Sequence, residues 1–196
     1  RKGAPPEVAE YLESIHASAR QMRGIIDTFL NLRRPGAETG GAGRCDLNLL
    51  AAAVAGQHEP AAEAKQITLT LELAEGLPPA RCDAGHAYQA LANYVSNALK
   101  FTPRGGRVFV RTRAGSQGPR VEVADTGPGV PAAERGQLFQ EFARLSPRPT
   151  GGEESNGVGL SIVRQLVESQ GGRVGAEFPD AGGSVFWCEL PFGGAV

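Results

Sequence analysis

The sequence predicts an α+β fold in which a two-layer α/β sandwich follows one long amphipathic helix. Between residues 5 and 34 the apolar residues recur at helical spacing, and Pro35-Gly36 ends this segment. Beyond it, helical patterns alternate with strand patterns that are mostly antiparallel, which is typical of helices on one face of a mixed sheet. The glycine pairs come late and follow separate strands, so a parallel dinucleotide-binding fold is disfavoured.

These patterns divide the chain into a partial helical domain at residues 1–35, a glycine-rich linker at 36–44 and a compact domain at 45–196. The predicted elements of the compact domain are, in order, a helix capped by Asn48 and ending near Ala64, a strand from Ile67 to Leu73, a helix capped by Asp83 that carries Asn93 and Asn97, strands Arg107 to Arg113 and Arg120 to Ala124, a helix from Gly159 to Gln170, and strands Arg173 to Phe178 and Ser184 to Leu190.

Local signals place these elements. Asn48 and Asp83 carry side chains that cap helices. The residues at 67–73 alternate between apolar and polar, as a half-buried strand does. Glycine-containing turns at residues 76–79, 115–118 and 179–183 separate the strand patterns, and we expect the last two turns to close hairpins.

Composition excludes several classes of function. Lys and Arg number 20 against 21 Asp and Glu, a net charge of -1, so no overall basic field indicates nucleic acid or acidic lipid as a partner. Cys45, Cys82 and Cys188 lack metal-binding spacing, which fits a reducing cytoplasmic setting. No apolar run approaches the roughly 20 residues that span a bilayer, so we expect no membrane contact by this segment. Because the chain begins with Arg1, we expect a part of a longer protein, which can itself be membrane-anchored.

Asn93, Asn97 and Lys100 share one face of the helix capped by Asp83, because residues three and four apart on a helix are neighbours. Magnesium prefers oxygen ligands and retains several waters, so the amide oxygens of Asn93 and Asn97 would suffice together with phosphate oxygens. Lys100 would neutralise phosphate charge. The motif alone leaves open a second interpretation, which is a solvated polar stripe.

Asp125 ends an apolar strand and is followed at once by Thr126-Gly127-Pro-Gly129. An ionised carboxylate only accepts hydrogen bonds, so it can take the exocyclic amine of adenine and would repel the carbonyl of guanine. The motif therefore predicts ATP rather than GTP, with Gly127 and Gly129 in the binding loop. The alternative is an ordinary Asp turn.

Gly157-Val-Gly159 precedes a helix that starts with Leu160 and Ser161. The free amides and the dipole of a helix N-terminus attract phosphate, and glycine lets a phosphate approach the backbone. A lone Gly-x-Gly is otherwise only a flexible start of a helix. Upstream, the residues at 146–156 are rich in Gly, Pro and Ser and are predicted to form a lid over the nucleotide.

Aromatic and basic residues flank these motifs. Phe139 and Phe142 are predicted to anchor the lid by packing, and Phe101 either packs on adenine or fills the core. Arg144 either reaches the phosphates or remains a solvated surface residue.

From about Arg44 to Phe192 the chain resembles the catalytic ATP-binding domain of bacterial sensor histidine kinases. Residues 93–102 are similar to the asparagine box of that family, residues 125–130 to its first glycine box, residues 139–142 to its phenylalanine box and residues 157–161 to its second glycine box. The resemblance implies the Bergerat fold, ATP and Mg²⁺ as cofactors, and a two-component protein-histidine kinase. Asn93 stands where related ATPases have a water-activating Glu, which indicates phosphoryl transfer rather than hydrolysis.

Residues 5–34 are similar to the second helix of the family's dimerisation and phosphotransfer hairpin. His16 lacks the sequence context of a phosphoacceptor, so we expect this segment to bind ATP without phosphorylating itself. The resemblance implies a homodimer in the longer protein, transfer of the γ-phosphoryl group to a His outside this chain, and then to an Asp of a response-regulator receiver domain.

The sequence is also compatible with two other functions. One is a non-kinase module of the same fold that senses nucleotide or binds a partner. The other is a serine kinase of the anti-sigma type, which the long helix before the linker disfavours.

Overall fold

A computed structural model describes residues 43–141, 143, 145–151 and 157–193. The predicted helix at residues 5–34, most of the linker, Phe142, Arg144 and residues 152–156 lie outside this described part. Within it, no helix is long and apolar enough to cross a bilayer.

The described residues form seven strands, three α-helices and one 3-10 helix. In chain order they are β1 (Gly43–Cys45), α1 (Leu47–Ala64), β2 (Thr68–Glu72), β3 (Ala80–Cys82), α2 (Ala84–Phe101), β4 (Arg107–Ala114), β5 (Pro119–Asp125), the 3-10 helix (Ala132–Gln137), α3 (Gly159–Glu168), β6 (Arg173–Glu177) and β7 (Ser184–Glu189).

Five of the strands form one mixed sheet in the order β2-β4-β5-β7-β6. Strand β2 runs parallel to β4, and every other pair is antiparallel. Strands β1 and β3 form a separate antiparallel ribbon. All three α-helices lie on the sheet, so the predicted two-layer α+β fold is confirmed.

The core lies between α2 and the middle of the sheet. Val108 and Val110 of β4 and Val123 of β5 point toward the helices and are almost completely buried. The ring of Tyr94 on α2 stacks on Phe186 with 5.8 Å between ring centroids, and its hydroxyl donates a hydrogen bond to the Trp187 carbonyl at 3.1 Å. These contacts fix the rotation of α2 about its own axis, because a buried hydroxyl needs its acceptor.

Within the described residues, the predicted helix and strand bounds are confirmed to within about two residues, apart from one helix cap. The cap assigned to Asn48 is wrong: Asp46 caps α1, and its carboxylate accepts hydrogen bonds from the backbone N–H groups of Asn48 at 2.8 Å and Leu49 at 3.2 Å. The Asn48 amide instead bonds residues that are distant in sequence: its Nδ2 donates to the Ala74 carbonyl, and its Oδ1 accepts from the Thr112 hydroxyl. The sequence analysis also missed the β1–β3 ribbon and the 3-10 helix.

Candidate functional site

Helix α2 presents Asn93 and Asn97 side by side on a half-buried face. Asp83 starts the helix, because its carboxylate accepts a hydrogen bond from the His86 N–H at 2.9 Å. The amide Nδ2 of Asn97 donates to Oδ1 of Asn93 at 3.1 Å. This bond occupies the NH₂ end of Asn97, so its oxygen is the end that can coordinate a cation. Lys100 is half-buried in the last turn of the same helix.

Gly159 brings the start of α3 against the Asn93 side chain. A Cβ added at Gly159 would lie 2.9 Å from Asn93 Oδ1 and 3.0 Å from its Nδ2, closer than side chains pack. Any side chain at this position would therefore displace the Asn93 amide. The contact joins two motifs that are far apart in sequence into one site.

Helix α3 begins at Gly159 without a side-chain cap. Its first N–H groups therefore have no side-chain acceptor from the residue before the helix, as is usual where a helix terminus binds an anion. Gly157, just before it, has a φ of +67°. The Ser161 side chain is buried and its hydroxyl donates to the Val158 carbonyl at 2.9 Å, which braces the first turn. Leu160 packs partly against the core.

Asp125 lies at the end of β5 and is buried, with 9% of its surface exposed. Its Oδ1 accepts a hydrogen bond from the Gly127 N–H at 2.7 Å. Ser184 is paired with Asp125 in the strand register, and its hydroxyl and backbone N–H favour the ionised carboxylate. Burial raises the pKa of the Asp125 carboxyl above its ordinary value of 3.8, although the hydrogen bonds from Gly127 and Ser184 act in the opposite direction.

The loop after Asp125 packs against the end of α2. A Cβ at Gly127 would lie 2.8 Å from Asp125 Oδ1 and 2.9 Å from the Phe101 carbonyl oxygen, so the loop backbone contacts the last residue of the helix. Gly129 has a φ of +69° and lies close to the Gly183 carbonyl. Asp125, Gly127 and the asparagine helix thus belong to one region of the molecule.

Ser184 is a site residue that the sequence analysis missed. It follows Gly182-Gly183 and starts β7, and the strand register pairs it directly with Asp125. A serine after two glycines is an ordinary turn signal, so no local pattern distinguishes it. Only the pairing of β5 with β7 brings its hydroxyl to the carboxylate.

The structure places the remaining predicted residues as follows. Phe139 is partly buried and packs against the core, and Phe101 is half-buried at the end of α2. Arg144, the residues at 152–156 and Phe142 lie outside the described part.

Comparison with known proteins gives consistent results. The family of histidine kinase-, DNA gyrase B- and HSP90-like ATPases matches residues 82–194. The sensor protein IrlS of Burkholderia pseudomallei is 31% identical over 192 residues, which cover 95% of this chain and 41% of that protein. This chain thus spans less than half the length of that relative.

Two solved structures show the same fold. ShkA, solved at full length in complex with AMPPNP, matches with a TM-score of 0.74 and 31% identity over 100% of this chain and 41% of that one. The catalytic domain of the histidine kinase ThkA in a nucleotide-free form matches with a TM-score of 0.65 and 28% identity, covering 75% of this chain and 93% of that domain.

The raised pKa of Asp125 makes a pH-dependent prediction. Because the folded state binds the proton of the Asp125 carboxyl more tightly than the unfolded state does, wild-type stability falls as pH rises from 3.8 through the raised pKa. Asp125→Asn has no carboxyl group to titrate. The free energy of unfolding of the variant should therefore rise relative to that of wild type across this pH interval, and the difference should persist at neutral pH. Urea unfolding at several pH values between 3.5 and 7.5 measures the difference. A difference that stays constant, or that shifts toward the wild type with rising pH, would contradict the assignment.

Proposed function

The chain belongs to the family of histidine kinase-, DNA gyrase B- and HSP90-like ATPases, and from this membership we propose that it is the ATP-binding catalytic segment of a two-component sensor histidine kinase. The observation that carries the proposal is the contact between the Asn93 amide and Gly159, which unites the asparagine and glycine motifs. The similarity to the sensor protein IrlS and to ShkA, solved in complex with AMPPNP, supports it.

Asp125 is the proposed recognition group for the base. It is the only acidic side chain of this loop motif, it is buried, and as a carboxylate it accepts hydrogen bonds without donating any. The exocyclic amine of adenine fits this acceptor, whereas guanine presents a carbonyl oxygen at the same position. Ser184 and the Gly127 N–H hold the carboxylate in place, so we assign them a positioning role.

The residues beside Gly159 fit a magnesium–phosphate group. Asn97 offers an amide oxygen, Asn93 lies next to it, and neutral oxygen ligands are sufficient where phosphate supplies the rest. When bound, Mg²⁺ would neutralise charge on the phosphate oxygens. Lys100 would add a second positive charge, and the uncapped N-terminus of α3, with Gly157, Gly159, Leu160 and Ser161, would donate backbone N–H groups to phosphate.

In the longer protein the proposed reaction is transfer of the γ-phosphoryl group to a histidine and then to an aspartate of a response regulator. Such transfer depends mainly on positioning and charge neutralisation, which is what the described residues offer. We do not assign the acceptor role to His16, which lies outside the described part. The proposal includes a homodimeric parent and a cytoplasmic location for this segment.

Calorimetry on the purified chain tests the nucleotide site. We expect binding of ATP that depends on magnesium, and little or no binding of GTP. Asn97→Ala removes an oxygen ligand and should weaken magnesium-dependent ATP binding by about tenfold or more, the loss expected for a contact to a charged group. Equal affinity for ATP and GTP, or unchanged binding by the variant, would refute the site assignment.

Gly159 allows a test with a matched helical glycine. Gly159→Ala adds a Cβ that must displace the Asn93 amide, so we expect ATP affinity to fall about tenfold. Gly56 lies in the middle of α1, and a Cβ added there would have nothing within 4 Å. Gly56→Ala should therefore stabilise the helix by up to about 1 kcal/mol and leave ATP affinity at the wild-type value. Thermal unfolding checks both folds. Similar ATP affinity in the two variants would argue against the Asn93–Gly159 contact as part of the site.

Phosphoryl transfer separates the kinase from a non-kinase binding module. The chain, extended upstream through a phosphotransfer hairpin, is incubated with γ-labelled ATP and magnesium. We expect a phosphoprotein that is labile in acid and stable in alkali, as phosphohistidine is, and Asn97→Ala in the same extended protein should abolish the label. Tight ATP binding without any phosphohistidine would favour the binding module.

A further inference from the structure

Three separate parts of the chain meet at the C-terminal end of α2. The backbone N–H of Thr102 donates to the Ala98 carbonyl at 2.9 Å. The ammonium group of Lys65, at the end of α1, donates to the Leu99 carbonyl at 2.6 Å and to the Lys100 carbonyl at 3.0 Å. The third contributor is Thr150, from the loop between the 3-10 helix and α3. Carbonyls at a helix end normally lack intrahelical partners, and here those of Leu99 and Lys100 are bound by residues distant in sequence.

Thr150 makes two kinds of bond to this helix end. Its backbone N–H donates to the Lys100 carbonyl at 2.9 Å, and its hydroxyl lies 2.9 Å from the Thr102 carbonyl and 3.0 Å from the Lys100 carbonyl. A carbonyl oxygen has two lone pairs, and that of Lys100 already accepts from Lys65 and from the Thr150 N–H. The hydroxyl proton therefore goes to Thr102, a residue with no exposed surface.

The same loop is held at a second point. The Ser146 N–H donates to the Glu134 carboxylate at 2.8 Å, which ties the start of the loop to the 3-10 helix. Glu134 is exposed enough to be partly screened by solvent, whereas the Thr150 hydroxyl bonds a buried carbonyl. Of the two attachments, Thr150 is the one that reaches the asparagine helix itself.

From these contacts we propose that Thr150 is a positioning residue for the phosphate side of the nucleotide site, an inference that rests on the function proposed above. Last turns of helices fray unless their carbonyls find partners, and Lys100 lies in that turn. By bonding the carbonyls of Lys100 and Thr102, Thr150 holds the backbone from which the Lys100 side chain projects. It also attaches the loop, at Thr150 itself, to the same turn.

A purely structural cap would behave differently from a positioning residue. Loss of a structural cap would lower stability and weaken every ligand of the pocket alike. Loss of a residue that positions Lys100 would weaken a ligand with phosphates more than one without them. Adenosine reaches the proposed Asp125 contact and lacks the phosphates, so the comparison of ATP with adenosine discriminates between the two roles.

The test uses the full chain with three variants. Thr150→Val removes the hydroxyl while keeping the shape and the backbone N–H, and Thr150→Ser keeps the hydroxyl. Thr70→Val is the matched control on β2, where Thr70 is paired in register with Phe109. Calorimetry measures magnesium–ATP binding, NMR titration measures adenosine binding, and thermal unfolding monitors the fold.

We expect Thr150→Val to weaken ATP binding about fivefold, as for one net hydrogen bond to a buried acceptor, and to leave adenosine binding within about twofold of wild type. Thr150→Ser and Thr70→Val should bind ATP as wild type does. Unchanged ATP affinity in Thr150→Val, an equal loss for ATP and adenosine, or no rescue by serine would overturn the inference while the proposed function stands. A wild-type chain that binds no ATP would instead refute the function, and this inference with it.

Discussion

The burial of one face of α2 against the sheet is the constraint on which the rest of the structure depends. Tyr94, Val95 and Ala90 are fully removed from solvent, and the Tyr94 hydroxyl is bound to the backbone of β7. Because a helix places its residues at fixed angular steps, this anchoring also fixes the direction in which Asn93 and Asn97 project. A rotation of α2 would require unpairing a buried hydroxyl and opening the core, so the asparagine pair is held in place without any bonds of its own to the sheet.

Asp125 represents a conflict between stability and chemistry. It continues the inward-facing row of Val121 and Val123 on β5 and is paired in register with Val108 of β4, so a carboxylate stands where an apolar side chain would stabilise the fold. Its raised pKa shows that the hydrogen bonds from Gly127 and Ser184 only partly replace the lost hydration. Such local conflicts are expected where a residue serves binding rather than folding.

The opposite face of the sheet explains why two layers suffice. The guanidinium group of Arg120 lies 4.1 Å from the centre of the Trp187 ring and also bonds Glu177 at 2.6 Å, and Arg111 lies 4.8 Å from the centre of the Phe109 ring. Each guanidinium group therefore lies over an aromatic ring and is also paired with a carboxylate, Glu177 for Arg120 and Glu72 for Arg111. This face therefore needs no third layer of helices, and the helices can all be placed on the side that carries the candidate site.

The sequence by itself determined the fold class, the order of the three α-helices and of the five strands of the main sheet, and the motifs of the candidate site, because helical spacing, strand alternation, capping residues and glycine turns are encoded over a few neighbouring residues. Tertiary structure alone decided which residue caps α1. Asn48 and Asp46 are both suitable residue types, but the Asn48 amide is hydrogen-bonded to Thr112 and Ala74. It also decided that Ser184 meets Asp125 and that Thr150 bonds the end of α2. Those contacts depend on strand register and on the path of a loop, which are set by the packing of distant segments and leave no local pattern.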